Sequence, residues 1–77
     1  MHDDGLVRMA NQIADFFRLR PHEQAVAGAA DHIRRFWDPR MRAKMAEHLA
    51  HGVEGLNPIA HEAVERVCKP VAKTAGH

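Results

Sequence analysis

The sequence contains no serine, a single threonine and a single cysteine among its 77 residues. Without serine, the only side-chain hydroxyl of the nucleophile type is Thr74, close to the end of the chain. With Cys68 alone, no disulfide can form within the chain. One unpaired thiol and no disulfide framework point to a reducing, cytoplasmic setting. No stretch approaches the ~20 apolar residues of a membrane span. No basic start followed by an apolar run is present, so no signal peptide is expected. Strand signals are nearly missing too: β-branched residues are sparse and no period-2 alternation is sustained. The chain also lacks a strong charge balance, with 11 Lys+Arg against 10 Asp+Glu. A nucleic-acid binder usually shows a clear basic excess.

What is present is helical periodicity. The chain reads as a single all-α domain, a small bundle of three to four short helices, with frayed ends at about 1–4 and 71–77. A domain this small buries only roughly 60% of its unfolded surface, so its own core is marginal and a partner is a natural supplement. The first segment runs from about Leu6 to Leu19. At ~100° per residue, Leu6, Met9, Ala10, Ile13, Phe16 and Phe17 share one wide arc, more than one neighbouring helix can cover. Asp3 or Asp4 is available as its N-cap. The second segment starts near Pro21 as first helical residue. Its apolar arc is Val26, Ala29, Ala30, Ile33, Phe36 and Trp37, and Gly28 among alanines makes a smooth surface for close approach.

Pro39 disfavours the helical conformation at Asp38 and ends the second helix near Trp37. Asp38 then serves as N-cap and Pro39 as first residue of a third helix, reaching about His51 before Gly52. The near-zero link predicts a sharp Trp-Asp-Pro corner. After the loop "GVEGLNP", Asn57 caps a fourth helix, with Pro58 first, that ends near Pro70. Glu62–Arg66 and Glu65–Lys69 stand at i,i+4 on its outer side.

No catalytic or metal signature emerges. The glycines at 52 and 55 fit no phosphate-binding fingerprint. His61-Glu62 opens an H-E-x-x-H pattern, but Glu65 stands where the second His belongs. His48 and His51 are spaced i,i+3, with no evident third ligand. Cys68 reads as a buried structural thiol. The seven histidines read as scattered surface residues.

The unusual stretch is "HIRRFWDPRMR", His32 to Arg42, with two aromatics and four arginines around the break. Arg34 and Arg35, in the last turn of the second helix, complement its dipole. Arg40 and Arg42 sit in the first turn of the third, where positive charge is unfavourable. Arg42 also projects into an apolar arc, as a stem laid over apolar surface, an ion pair with Asp38, or a contact to an external anionic partner. Trp37 is core, or a half-exposed interface anchor.

The string "LVRMANQIADFF", then "AVAGAADHIRRFWDPRMR", then "GLNP" resembles the delta subunit of soluble, NAD-dependent, molybdenum-containing formate dehydrogenases. The resemblance runs from about Leu6 to Pro58. Its residues are Met9, Asn11, Gln12, Ile13 and Phe17, then His32, Ile33, Phe36, Trp37, Asp38, Pro39, Arg40, Met41 and Arg42, and finally Gly55, Leu56 and Pro58. The resemblance implies a non-catalytic accessory subunit without cofactors of its own. In that family the alpha subunit holds the molybdenum bis-guanine-dinucleotide cofactor and iron–sulfur clusters, and beta and gamma subunits pass electrons to NAD through FMN. One cysteine agrees with the absence of an iron–sulfur cluster here, since a cluster usually takes four ligands.

The reading for this chain is therefore a domain that docks on the alpha subunit and supports assembly, cofactor insertion or stability. The expected partner-binding residues are Arg34, Arg35, Trp37, Asp38, Arg40 and Arg42, beside the wide arc of the first helix. The arginines would meet acidic side chains of the alpha subunit or, during insertion, the anionic cofactor. Two rival readings are a small helical nucleic-acid binder presenting Arg40, Arg42 and Lys44, and a self-associating module.

Overall fold

A computed structural model describes residues 5–68. They form four helices and no strand: α1 (Leu6–Phe17), α2 (His22–Phe36), α3 (Pro39–Ala50) and α4 (Pro58–Cys68). No helix among them is long and apolar enough to cross a membrane. The expected frayed ends, the Asp3 or Asp4 cap, the Glu65–Lys69 pair and the end of the last helix near Pro70 lie wholly or partly outside the described residues.

The start of α1 is set by Gly5, which takes a left-handed φ of 80° and whose carbonyl accepts the Met9 N–H at 3.0 Å. Glycine adopts that conformation without a Cβ penalty. α1 stops at Phe17, two residues short of Leu19, as Arg18 and Arg20 N–H groups turn back to the Asp15 and Phe17 carbonyls. Pro21 is the N-cap of α2 rather than its first residue. Its ψ of 147° is extended, and its carbonyl accepts the Ala25 N–H at 2.8 Å. Helix bounds routinely shift by a residue in this way.

The corner forms as the sequence dictates. Trp37 leaves the helix with ψ 134°, and Asp38 follows with ψ 169°. The Met41 N–H donates to Asp38 Oδ1 at 2.9 Å, so the carboxylate caps α3, with Pro39 at its first position. α3 ends at Ala50, and Gly52 follows it at φ 78°. Asn57 caps α4, its Oδ1 accepting the Ala60 N–H at 2.7 Å.

α2 is the central helix and packs on both α1 and α4, and its packing with α4 is the most extensive in the molecule. Ala25, Val26, Ala29 and Ile33 of α2 and Ala60, Ala63 and Val64 of α4 are fully buried. Small side chains let helix axes approach closely. Two exposed pairs tie the start of α2 to α4: His22 to Glu62, and Arg66 to Glu23 at 2.8 Å. The expected Glu62–Arg66 pair within α4 is thus replaced by two links between helices. Exposed pairs like these contribute up to about 1 kcal/mol each.

α3 turns away at the corner and packs on α4, with little contact to α2. Met45 is its fully buried residue. The loop from α3 to α4 is held on α1 by Asn11: its Nδ2 donates to the Gly55 carbonyl at 2.8 Å, and its Oδ1 accepts the Asn57 N–H at 2.9 Å. One side chain therefore fixes both the loop and the residue that starts α4.

Candidate docking surface

Two aromatic doublets, Phe16-Phe17 and Phe36-Trp37, meet between the end of α1 and the corner. Neighbours on a helix point ~100° apart, so two bulky members of a doublet need cover on a wide arc to be buried together. In each doublet the second residue turns in and the first stays out. Trp37 is only 5% exposed and Phe17 is partly buried against the core cluster. Phe16 is 80% exposed and Phe36 68%. The placement of Phe36 corrects the expectation that it belongs to the core arc. Trp37 fills the position one turn after Ile33, and α3 leaves the corner towards α4, so nothing covers the Phe36 side. Trp37, for its part, is core and not half exposed.

Between these residues lies an open, largely apolar groove of about 520 Å³. α1 supplies Met9, Gln12, Ile13, Phe16 and Phe17. His32, Phe36 and Trp37 form the opposite side, and Met41 of α3 completes the lining. The exposed rings are held by their neighbours. Phe16 meets Phe17 edge to face at 5.1 Å, and His32 lies 4.6 Å from Phe36. The Arg20 guanidinium sits 5.7 Å from the Phe17 ring centre, a cation–π contact at the groove edge. Phe17 itself is seated on Gly28: a Cβ there would lie 2.7 Å from the ring. The glycine accommodates a partner closely, as its surroundings suggested, and that partner is an aromatic ring.

Of the six residues expected to bind a partner, Trp37 alone lines the groove, as part of it. Arg34 and Arg35 both pair with Asp31, at 3.5 and 3.1 Å, one or nearly one helical turn back. Their charges are thereby accounted for. Asp38 spends a carboxylate oxygen on the α3 cap. Arg40 is exposed and makes no ion pair among the described residues. Arg42 is half-buried, its Nε shielded from water with no hydrogen-bond partner in the structure. It forms no ion pair with Asp38, so that expectation fails. Its charge instead acts on Cys68, which ends α4. Arg40 and Arg42 thus serve different surroundings rather than one basic face.

The chemistry available is that of contact. Burial pushes the Cys68 thiol up to about 11 from its ordinary 9.0, with the Arg42 charge acting the other way. A thiol held protonated is a poor nucleophile. Among the described residues no three His, Cys, Asp or Glu side chains are grouped to hold a metal ion. The sequence signal for the groove was present in the wide arc of α1 and in the two doublets, but the outward member of each doublet can be assigned only once the neighbours are placed.

A family model described as "NADH-dependant formate dehydrogenase delta subunit FdsD" matches residues 5–64, which include every residue of the groove. No curated protein and no solved structure matches the chain.

Proposed function

From the premise that the chain belongs to the FdsD family of formate dehydrogenase delta subunits, we propose that it is a non-catalytic accessory subunit that docks on the alpha subunit. In this reading it works in the cytoplasm and supports assembly, cofactor insertion or stability of the enzyme. The observation that carries the reading is the uncovered aromatic groove. Phe16 and Phe36 are exposed in a domain whose core is otherwise built of alanine, valine and single large residues. Exposing two phenylalanines side by side forgoes roughly 1.5–3 kcal/mol of burial for each, which a docked partner would recover. Large exposed aromatics around a buried tryptophan floor suit an interface anchor. Arg40, with no internal ion pair, adds an unpaired charge beside Met41, and the acidic side chains of a partner protein suit it.

Co-expression of the enzyme with and without this chain tests the proposal, with subunit composition, molybdenum and pterin content and formate-dependent NAD reduction measured together. The expected result is a complex that retains the chain, and loss of assembly, cofactor content or lifetime without it. Unchanged composition, cofactor content and activity in its absence would contradict an accessory role. Normal cofactor content with a shorter-lived complex would assign stability rather than insertion.

A further inference from the structure

The groove and its rim carry different chemistry, and together they specify an occupant. Over the full sequence, residues 1–42 hold seven arginines against six carboxylates, and residues 43–77 hold four cations against four carboxylates. Among the described residues of the first half every carboxylate is engaged: Asp15 with Arg18, Glu23 with Arg66, Asp31 with Arg34 and Arg35, and Asp38 in the α3 cap. Arg8, Arg20 and Arg40 make no ion pair among the described residues, and all three are exposed. Arg20 lies against Phe17. Arg40 precedes Met41, and Arg8 stands one turn before Gln12 on the same edge of α1. Arg20 thus stands at the groove edge, and Arg8 and Arg40 are exposed cations on the helices that line it.

We infer that the groove receives an acidic amphipathic helix of the partner subunit, its apolar side chains against Phe16, Phe36 and Trp37 and its carboxylates on Arg8, Arg20 and Arg40. This deepens the docking proposal and rests on it. The shape favours a helix. Met9, Ile13 and Phe17 make an i,i+4 ridge along α1, the relief into which another helix packs. From Met9 to Phe17 the ridge runs ~12 Å, about two helical turns. Among the described residues there is no strand, so an extended peptide finds no sheet edge to join. A second copy of this chain is disfavoured by charge: a two-fold interface through the groove sets like rims against each other. The chain's own residues 69–77 carry Lys69 and Lys73 and no Asp or Glu, the wrong sign for this rim.

The test uses the full chain co-expressed with the enzyme, carrying a photo-crosslinking residue as Phe36→p-benzoylphenylalanine or Phe16→p-benzoylphenylalanine. Crosslinked peptides are then identified by mass spectrometry. The expected product joins the groove to a helical segment of the alpha subunit that has Asp or Glu beside apolar residues. In parallel, the double variant Arg8→Glu, Arg40→Glu should bind about tenfold more weakly at low salt and lose most of its salt dependence. Arg40→Glu should not harm the fold, since an acidic residue in the first turn of α3 suits the helix dipole. Crosslinks to a second copy, to residues 69–77, or to a basic or non-helical segment would overturn the inference while leaving docking intact. If the unmodified chain does not co-purify with the alpha subunit, the docking proposal itself falls, and the inference with it.

Discussion

The seam between α2 and α4 and the groove between α1 and the corner put apolar surface to opposite uses. The seam is made of small residues, alanine and valine, and every one of Ala25, Val26, Ala29, Ala60, Ala63 and Val64 is fully buried. The groove gathers every phenylalanine and the tryptophan of the protein, and two of its phenylalanines face solvent. A chain that needed only stability would bury its aromatics first, because each removes the most area from water. Here alanines close the core and two phenylalanines stay out. The contrast separates a part of the molecule that folds from a part that, on the proposed reading, is kept for a partner.

Trp37 and Phe36 sharpen that contrast most, being neighbours of similar bulk. Trp37→Ala should cost about 3–5 kcal/mol, which approaches the whole stability of so small a domain. Phe36→Ala should cost less than about 1 kcal/mol, because its ring is mostly solvated. Denaturant unfolding followed by circular dichroism reads both, and equal costs would erase the distinction. Asn11→Ala comes next, at about 1–3 kcal/mol, since it frees the Gly55 carbonyl and the Asn57 N–H together. Amide exchange in residues 55–60 should rise in the same variant.

Gly28→Ala probes the join between the two regions. The new methyl overlaps the Phe17 ring, at a cost of about 1–3 kcal/mol, against a helix-propensity gain of up to ~1 kcal/mol. The same change made in a Phe17→Leu background should be close to neutral, and a double-mutant cycle measures the difference. The smallest effect is a pH dependence at the closed side. Cys68 keeps its proton up to about 11 when folded, whereas the unfolded thiol releases it near its ordinary 9.0. The folded chain thus binds more protons in that window. Stability is complete below 9 and falls as pH rises towards 11. Cys68→Ala should flatten this slope in unfolding curves taken across the window.

Much of this architecture was legible in the sequence. Pro39 and Asp38 dictated the corner, Asn57 and Pro58 dictated the start of α4, and the 3.6-residue periodicity gave all four helices. Local signals suffice where the cause is local. The errors fall where the cause is tertiary. Phe36 was assigned to the core because it shares an arc with Ile33, yet the direction taken by α3 leaves it uncovered. Glu62 and Arg66 suit each other on one helix, yet His22 and Glu23 on α2 lie closer to hand. The anomaly of Arg42 inside an apolar arc was visible, but its burial beside the end of α4 was not. The groove itself is a relation between two doublets twenty residues apart, which no window of sequence contains.

The central claim is that the outward phenylalanines belong to a partner rather than to the fold. The most direct measurement pairs thermal unfolding of the Phe16→Asp, Phe36→Asp chain with its affinity for the alpha subunit of the enzyme. The account predicts a melting temperature within a few degrees of the parent chain and an affinity reduced at least about a hundredfold. An unchanged affinity in a folded variant would contradict it.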